Sequence, residues 1–311
     1  MKEMIYLDNA ATTKTRQEVV DAMLPYFTEY YGNASAVYDF GAKAREAMDR
    51  SRETIGEILH TDAGNIYFTA GGSESDNWAL RGIAEACSDR GRHIITTAIE
   101  HHAVLHTCQY LEKQGFEVTY LPVDEEGKIS LEELRRAIRE DTILISVMFA
   151  NNEIGTIEPI RQIGEIAHER GVLFHTDAVQ AFGQVPIDVE KMQIDLLSAS
   201  GHKFGGPKGV GFLYIRKGVK IRPLIYGGAQ EKKRRAGTEN VPGIVGLGKA
   251  AEIAAETMES RARQETKLRD YLIDEVLRRV PYTRCNGSRD DRLPNNASFC
   301  FRFIEGESLL I

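Results

Sequence analysis

The feature that most constrains the fold of this chain is an alternation of short apolar segments with helix-like segments between residues 65 and 215. Continuously apolar runs are typical of strands covered on both faces, as in parallel sheets flanked by helices. The predicted strands are Asn65–Thr69, His93–Thr97, Glu117–Leu121, Thr142–Phe149, Val172–Asp177, Asp195–Ser200 and Gly209–Ile215. The predicted helices between them are Ser73–Asp89, Ala103–Gln114, Ser130–Glu140 and Ile160–Arg170. The pattern predicts an α/β fold with a mostly parallel seven-stranded sheet flanked by helices.

The chain has 311 residues, enough for one large domain and a smaller one. A long helical stretch from about Val245 to Val280 leads away from the alternating region, and Ser298–Phe301 resembles a strand. We predict a large domain over residues 15–250 and a smaller α+β domain built from residues 1–14 and 251–311. Because the sequence stops in the first turns of a new helix that begins near Glu305, we expect the C-terminal part of the small domain to be missing.

Charge and composition exclude several classes of partner. The net charge of −7 argues against a nucleic-acid-binding protein, and no apolar run approaches the length needed to cross a membrane. The N-terminus lacks the apolar core of a signal peptide. The cysteines have neither metal-ligand nor disulfide-framework spacing, which favours reduced thiols in a cytoplasmic protein; they are Cys87, Cys108, Cys285 and Cys300.

Two side chains at the ends of predicted strands point to a particular cofactor. Lys203 lies on the short polar loop Ser200–Lys203 after one apolar run, and Asp177 ends another. A lysine amine can bond to the aldehyde of pyridoxal phosphate, and a buried aspartate keeps its pyridine nitrogen protonated. Singly, each has an ordinary interpretation, as a loop lysine or a strand-end carboxylate that caps a turn. Together at the carboxyl ends of strands, where such sheets bind ligands, they predict a pyridoxal-phosphate site.

The turn Thr69–Glu74 could hold the phosphate of such a cofactor. Its glycines allow close backbone approach, and the amides at a helix N-terminus favour an anion. A plain turn capped by Ser73 is the alternative. Similarly, His101 at the end of a strand could stack on a planar cofactor or could be an ordinary surface histidine.

Three other patterns suggest ligands that we do not favour. His102 and His106 have the spacing of a metal-binding pair but lack a third ligand, so we predict no metal. Pro122–Ile129 resembles a calcium loop, but proline occupies the first ligand position. The basic run 232–235 is more typical of a solvated or phosphate-facing loop than of a nucleic-acid site on an acidic chain.

An ordered series of motifs runs through essentially the whole chain. It comprises Tyr6–Thr13, Gly71–Asn77, Glu100-His101, Asn151–Gly155, His175–Gln180, Ser200–Lys203 and Arg235–Thr238. The series resembles that of the cysteine desulfurases of iron–sulfur cluster assembly and nitrogen fixation. These enzymes belong to the class V aminotransferase branch of the fold-type I pyridoxal-phosphate enzymes. The resemblance implies the fold-type I architecture and a pyridoxal 5'-phosphate cofactor.

The resemblance also implies a role for each matching residue. Lys203 would bind the cofactor covalently and then move protons on the substrate, and His101 would stack on the ring and assist in proton transfer. Asp177 would pair with the ring nitrogen, Gln180 would bond the ring hydroxyl, and Asn152 would lie near that hydroxyl and the substrate carboxylate. The phosphate would be held by Gly72, Ser73, Ser200 and His202. Thr238 would reach the phosphate of the neighbouring subunit, so a homodimer is expected.

In such enzymes L-cysteine gives alanine, and an enzyme thiolate takes up the sulfur as a persulfide for a sulfur-acceptor or cluster-scaffold protein. In the family the nucleophilic cysteine follows the segment that matches residues 305–310, and none of the four cysteines here matches it. We therefore expect the 311-residue polypeptide to bind pyridoxal phosphate without forming the persulfide. A selenocysteine lyase, a cysteine-sulfinate desulfinase and a non-catalytic scaffold with the same fold are the alternatives. The intact set of Lys203, Asp177 and His101 counts against the scaffold.

Overall fold

The computed structural model describes residues 5–310. Residues 1–4 and Ile311, which the predicted small domain includes, lie outside the described residues. Within the described range the chain forms nine strands: β1 (Ile66–Thr69), β2 (His93–Thr97), β3 (Glu117–Leu121), β4 (Thr142–Ser146), β5 (Leu173–Asp177), β6 (Leu196–Ser200), β7 (Gly211–Ile215), β8 (Thr283–Cys285) and β9 (Phe299–Phe301).

The same residues form ten α-helices: α1 (Gln17–Met23), α2 (Pro25–Thr28), α3 (Asp39–Leu59), α4 (Gly72–Ala86), α5 (His102–Glu112), α6 (Leu131–Ala137), α7 (Ile160–Glu169), the single turn α8 (Gln230–Lys233), α9 (Val241–Arg279) and α10 (Gly306–Leu310). They also form two short 3-10 helices, Ala63–Asn65 and Gly201–Lys203. Among the described helices, none has an apolar stretch long enough to cross a membrane. The helices α1 to α3 precede the alternating region, and the sequence analysis identified none of them.

The first seven strands form one sheet in the order β1-β7-β6-β5-β4-β2-β3. Only β7 runs antiparallel to its described neighbours, β1 and β6; the pairs β2–β3, β2–β4, β4–β5 and β5–β6 are parallel. The predicted mostly parallel seven-stranded sheet is therefore confirmed. The strand β4 ends at Ser146 rather than at Phe149, although the Phe149 amide still donates to the carbonyl of Asp177 at 2.8 Å.

Helices cover both faces of the sheet, which explains why its strands are so apolar. On one face α4 and α5 pack through side chains such as Trp78 and Val104, and on the other α3, α7 and α9 pack through Ile55, Ile163 and Leu247. These five helices and the sheet thus enclose two clusters of buried hydrophobic residues, one on each face of the sheet. This packing holds the carboxyl ends of the parallel strands at a fixed edge.

The helix α9 links this interior to a second, smaller sheet. It begins at Val241, four residues earlier than predicted, because the Asn240 side chain accepts a hydrogen bond from the Gly243 amide at 3.1 Å. Its first half packs against α3 and α1, and its last turns lie near β8. The strands β8 and β9 form a two-stranded antiparallel sheet, with Arg284 opposite Cys300.

Candidate active site

A cavity of about 700 Å³ lies at the carboxyl edge of the large sheet. Nine of the ten site residues predicted from the sequence line it: Gly72, Ser73, His101, Asn152, Asp177, Gln180, Ser200, His202 and Lys203. They follow the ends of β1, β2, β4, β5 and β6, whose parallel direction brings these ends to one edge. Residues from the N-terminal segment and from 295–297 complete the wall.

Lys203 lies on the short helical turn that follows β6. Its Nζ donates to the carbonyls of Ala10 and, at 3.0 Å, of Ala11, so the N-terminal segment holds the amine at the cavity wall. Burial lowers the pKa of the Lys203 amine, although the carboxylates of Asp177 and Asp8 act in the opposite direction. A lowered pKa increases the fraction of neutral, nucleophilic amine at neutral pH.

Asp177 ends β5 and is only 5% exposed. Its Oδ1 accepts a hydrogen bond from the amide of Val179 at 2.9 Å, which fixes the orientation of the carboxylate. Burial raises the pKa of Asp177, while the Val179 amide, His101 and Lys203 lower it. A cationic N–H group placed beside this carboxylate would favour its charged form.

The start of α4 has the properties of an anion site. Gly71 has a φ of 146°, a backbone conformation that side chains disfavour, and no side chain caps the first turn. At Gly72 a Cβ atom would lie 2.5 Å from Cγ2 of Val179, so only glycine fits without displacement. A second recess shares Gly72 and Ser73 with the cavity and is also lined by Lys208. Exposed amides and a nearby cation suit a phosphate group.

His101 and Gln180 are held by local contacts. The Nδ1 atom of His101 accepts the Ala103 amide at 3.1 Å and thereby caps α5. Since Nδ1 is the acceptor, the neutral ring carries its proton on Nε2. The side chain of Gln180 donates to the Ala10 carbonyl at 3.0 Å, the same carbonyl that Lys203 contacts.

Two buried carboxyls at the cavity were not identified from the sequence. Asp76 lines the cavity, and Glu100 is buried next to His101. Asp76 stands three residues after Ser73, a spacing that places both on one face of α4, and this signal could have identified it. The 295–297 segment was also missed because its contact with the site depends on the path of α9 and β8.

Within the described residues, one group of potential metal ligands is close enough to bind an ion: Asp76, His101 and Asp177, whose ligand atoms lie within 4.8 Å of one another. His102 and His106 do not belong to it; their rings stack on each other at 5.1 Å on the outside of α5. Because Asp76, His101 and Asp177 all line the cavity, we treat these three side chains as part of the predicted cofactor site.

Thr238 is the predicted site residue that does not line the cavity. It lies between the basic run and α9, next to Glu239, which accepts a hydrogen bond from the Ser35 hydroxyl at 3.2 Å. Part of the basic run contacts the chain itself: Lys232 donates to the Gly64 carbonyl at 2.9 Å, and Arg235 pairs with Glu74 at 2.8 Å. None of the four cysteines, all of which lie in the described range, lines the cavity.

The donor set fits the pyridoxal phosphate predicted from the sequence. The cavity offers an amine of lowered pKa, a buried carboxylate and an uncapped helix start that only glycine can form, and these suit the aldehyde, the ring nitrogen and the phosphate respectively. The buried Oδ1 of Asp76, which has no hydrogen-bond partner among the described residues, adds a polar group at the same cavity.

Comparison with known proteins gives consistent matches. The sequence model of the family "Aminotransferase class-V" matches residues 5–311. A cysteine desulfurase IscS from Methanosarcina thermophila is 62% identical over 307 residues, covering 99% of this chain and 76% of the relative. A cysteine desulfurase IscS from Clostridium botulinum (strain Hall) is 56% identical over 313 residues, covering 100% of this chain and 79% of the relative.

Solved structures agree with these relatives. A structure described as a NifS-like protein superposes with a TM-score of 0.96 at 44% identity, covering 99% of this chain and 84% of its own. A structure described as SspA in complex with cysteine gives a TM-score of 0.87 at 40% identity, covering 96% of this chain and 84% of its own.

Proposed function

The chain belongs to the class-V aminotransferase family and is a pyridoxal-phosphate-dependent cysteine desulfurase, and we propose that Lys203, Asp177 and the start of α4 hold its cofactor. The observation that carries this proposal is the convergence of nine side chains, drawn from motifs far apart in sequence, on one cavity. When bound, pyridoxal phosphate supplies an electron sink that stabilises negative charge on the α-carbon of the amino-acid substrate.

Residues of the chain bind the phosphate of the cofactor and hold its reactive aldehyde carbon. The phosphate is bound by the first-turn amides of α4 at Gly72 and Ser73, with Ser200 and His202. Lys203 holds the cofactor through Nζ and later carries a proton at that atom. Burial lowers its pKa and so keeps more of the amine able to accept a proton at neutral pH.

The ring is oriented by three further side chains. Asp177 offers a fixed carboxylate to the ring nitrogen, because the Val179 amide already holds its Oδ1. His101 would stack on the ring and assist in proton transfer, and Gln180 would bond the ring hydroxyl. Asn152, which lines the cavity, would lie near the substrate carboxylate, and the 295–297 segment of the cavity wall would reduce access of water to the bound substrate.

The substrate is L-cysteine. Transfer of its sulfur needs an enzyme thiolate that reaches the bound substrate. None of the four cysteines in the described range lines the cavity, so we propose that none of the four is this thiolate. We further propose that a sulfur-acceptor or cluster-scaffold protein receives the sulfur, and that the protein works in the cytoplasm.

The site is proposed to lie between two domains and to be completed by a second subunit. Residues 15–250 would form the large domain, and residues 1–14 with 251–311 the small one; the cavity wall includes Asp8 and Asn296 from the latter. Thr238 of one subunit would reach the phosphate bound by the other, which is consistent with its position outside the cavity of its own chain.

Borohydride reduction tests the assignment of Lys203. We expect reduction of the protein with bound pyridoxal phosphate to trap the cofactor on the wild-type chain, seen as an increase in intact mass, and to trap none on Lys203→Ala. The variant Lys217→Ala is the matched control, because Lys217 is an exposed lysine that lines neither the cavity nor the adjoining recess and should leave trapping unchanged. Equal trapping on Lys203→Ala would refute the assignment.

A further inference from the structure

Asp76 is a buried carboxyl to which the proposed function gives no role. It lies in the second turn of α4, is 1% exposed and lines the cavity. Its Oδ1 has no hydrogen-bond partner among the described residues. A charged, buried oxygen without a hydrogen-bond partner is strongly unfavourable, so the protonation state of Asp76 needs an explanation.

The groups that face Asp76 come from four elements. From β5 come Asp177 and His175, with the His175 Nε2 atom 3.7 Å from Oδ1 of Asp76. From the segment before α5 come Glu100 and His101, the latter with a ring nitrogen within 4.8 Å. The strand β6 contributes the neutral hydroxyl of Ser198, and β4 contributes no titratable side chain.

His175 does not supply a positive charge to balance Asp76. It is fully buried, and its ring nitrogens contact the hydroxyls of Ser146 at 2.8 Å and Ser198 at 3.0 Å. Burial lowers the pKa of His175 to about 3, so the ring is neutral at physiological pH. One ring nitrogen donates to a serine and the other accepts from one.

The environment of Asp177 stabilises a negative charge on the carboxylate, and the environment of Asp76 does not. Asp177 has the Val179 amide at 2.9 Å, and both His101 and Lys203 favour its charged form. Asp76 lies beside the carboxyls of Asp177 and Glu100, and burial together with these neighbours raises its pKa well above the ordinary value, although the Ser198 hydroxyl acts in the opposite direction. Two carboxyls this close in a dry site do not both ionise.

We propose that Asp76 is a positioning residue that holds a proton, so that Asp177 alone carries the negative charge offered to the ring nitrogen of the cofactor. The proton lies on the side of Asp76 that faces His175 and Ser198. There the protonated Asp76 carboxyl is a hydrogen-bond donor, and it does not add a second negative charge beside Asp177. This inference rests on the proposed function for the role of Asp177, but the protonation of Asp76 can be measured without the cofactor.

Infrared difference spectroscopy tests the proton directly. For the cofactor-free protein at neutral pH, we expect the wild-type minus Asp76→Asn spectrum to contain the C=O band of a protonated carboxyl. Glu100→Gln is the matched control that identifies the band of the other buried carboxyl, because burial raises the pKa of Glu100 to about 8. If Asp76→Asn does not fold, Asp76→Ser gives the same subtraction. A difference confined to carboxylate bands would overturn the proposal.

Cofactor affinity tests the consequence for Asp177. Because an amide matches a protonated carboxyl in size and charge, Asp76→Asn should keep the dissociation constant for pyridoxal phosphate within about threefold of wild type. Asp177→Asn should weaken it by roughly tenfold or more, as expected for loss of a charged partner. Equal weakening by both variants would mean that Asp76 supplies the charge and would overturn the proposal. Failure of the wild-type protein to bind the cofactor would instead refute the proposed function, with the infrared result unaffected.

Discussion

Glu100 is a buried carboxyl outside the set of residues proposed to hold the cofactor. Its Oε1 accepts hydrogen bonds from the Met148 amide at 2.8 Å and the Thr97 hydroxyl at 2.9 Å. Its Oε2 has no hydrogen-bond partner among the described residues. Burial raises the pKa of Glu100 to about 8 in spite of the two bonds, so the side chain is protonated at neutral pH.

This raised pKa makes stability depend on pH. The Glu100 side chain releases its proton near pH 4.5 in the unfolded chain and near pH 8 in the folded chain, so Glu100 lowers the free energy of unfolding as pH rises between these values. The slope is at most about 1.4 kcal/mol per pH unit. Glu100→Gln keeps the Oε1 acceptor and cannot ionise. We expect urea unfolding of the cofactor-free variant to show a stability gain over wild type that grows from about pH 5 to about pH 8.

The control for this experiment is Glu85→Gln, at an exposed carboxylate of α4. Its unfolding free energy should follow the wild-type curve at every pH. A constant offset between Glu100→Gln and wild type across the same range would contradict the prediction, because it would mean that Glu100 does not change its charge there.

The sequence identified site residues whose location follows from their position at the end of a predicted strand. It missed residues whose protonation state depends on tertiary packing. Lys203 and Asp177 follow apolar runs directly, so their place at a sheet edge could be inferred. The state of Asp76 and Glu100 depends on neighbours from β5, β4 and the segment before α5. Nothing in the local sequence gives the distance of Asp76 from His175, because that distance is set by the packing of α4 on the sheet.

At the scale of elements, the sequence at the start of α4 is restricted by its close packing against the sheet. Gly72 lies against Val179, which follows β5, so the helix can approach the sheet only where no Cβ is present. The same close approach leaves the first-turn amides open toward the cavity. The strands were predictable because both faces are buried, whereas α1 and α2 are short and amphipathic signals in them are weak.

We expect Gly72→Ala to destabilise the protein by about 1–3 kcal/mol and to weaken pyridoxal-phosphate binding by roughly tenfold. The added Cβ would stand 2.5 Å from Cγ2 of Val179, which forces the helix start or the valine to shift. Thermal unfolding and a cofactor titration measure the two effects. Val179→Ala removes Cγ2, so the double variant should recover most of the lost affinity. If the double variant binds no better than Gly72→Ala alone, the steric explanation is wrong.

At the scale of the whole molecule, one surface has the composition of a subunit interface. Large apolar side chains of the 24–40 segment, which includes α2 and the turn before α3, are exposed; they include Phe27, Tyr31 and Tyr38, and Val37 is 98% exposed. The contact between Ser35 and Glu239 places this surface beside Thr238. A contiguous exposed apolar surface in a globular protein marks an interaction site. The surface and Thr238 therefore support the same homodimer.

Val37→Asp tests this assembly. A charge at the centre of an apolar interface is costly, so we expect the variant to sediment as a monomer where wild type sediments as a dimer. If Thr238 of the partner reaches the phosphate as proposed, loss of the partner would remove that contact, so the variant should bind pyridoxal phosphate more weakly than wild type, by roughly tenfold. Thr238→Val should weaken binding in the dimer without changing its sedimentation, which separates the missing contact from the missing subunit.

The matched control is Leu268→Asp, which places the same charge at an exposed apolar position of α9, away from the 24–40 segment. It should leave both sedimentation and cofactor affinity as in wild type. A monomeric Val37→Asp protein with wild-type affinity would show that each cavity is complete within one chain. In that case the phosphate is held by the α4 amides, Ser200 and His202 alone, and Thr238 has no part in the site.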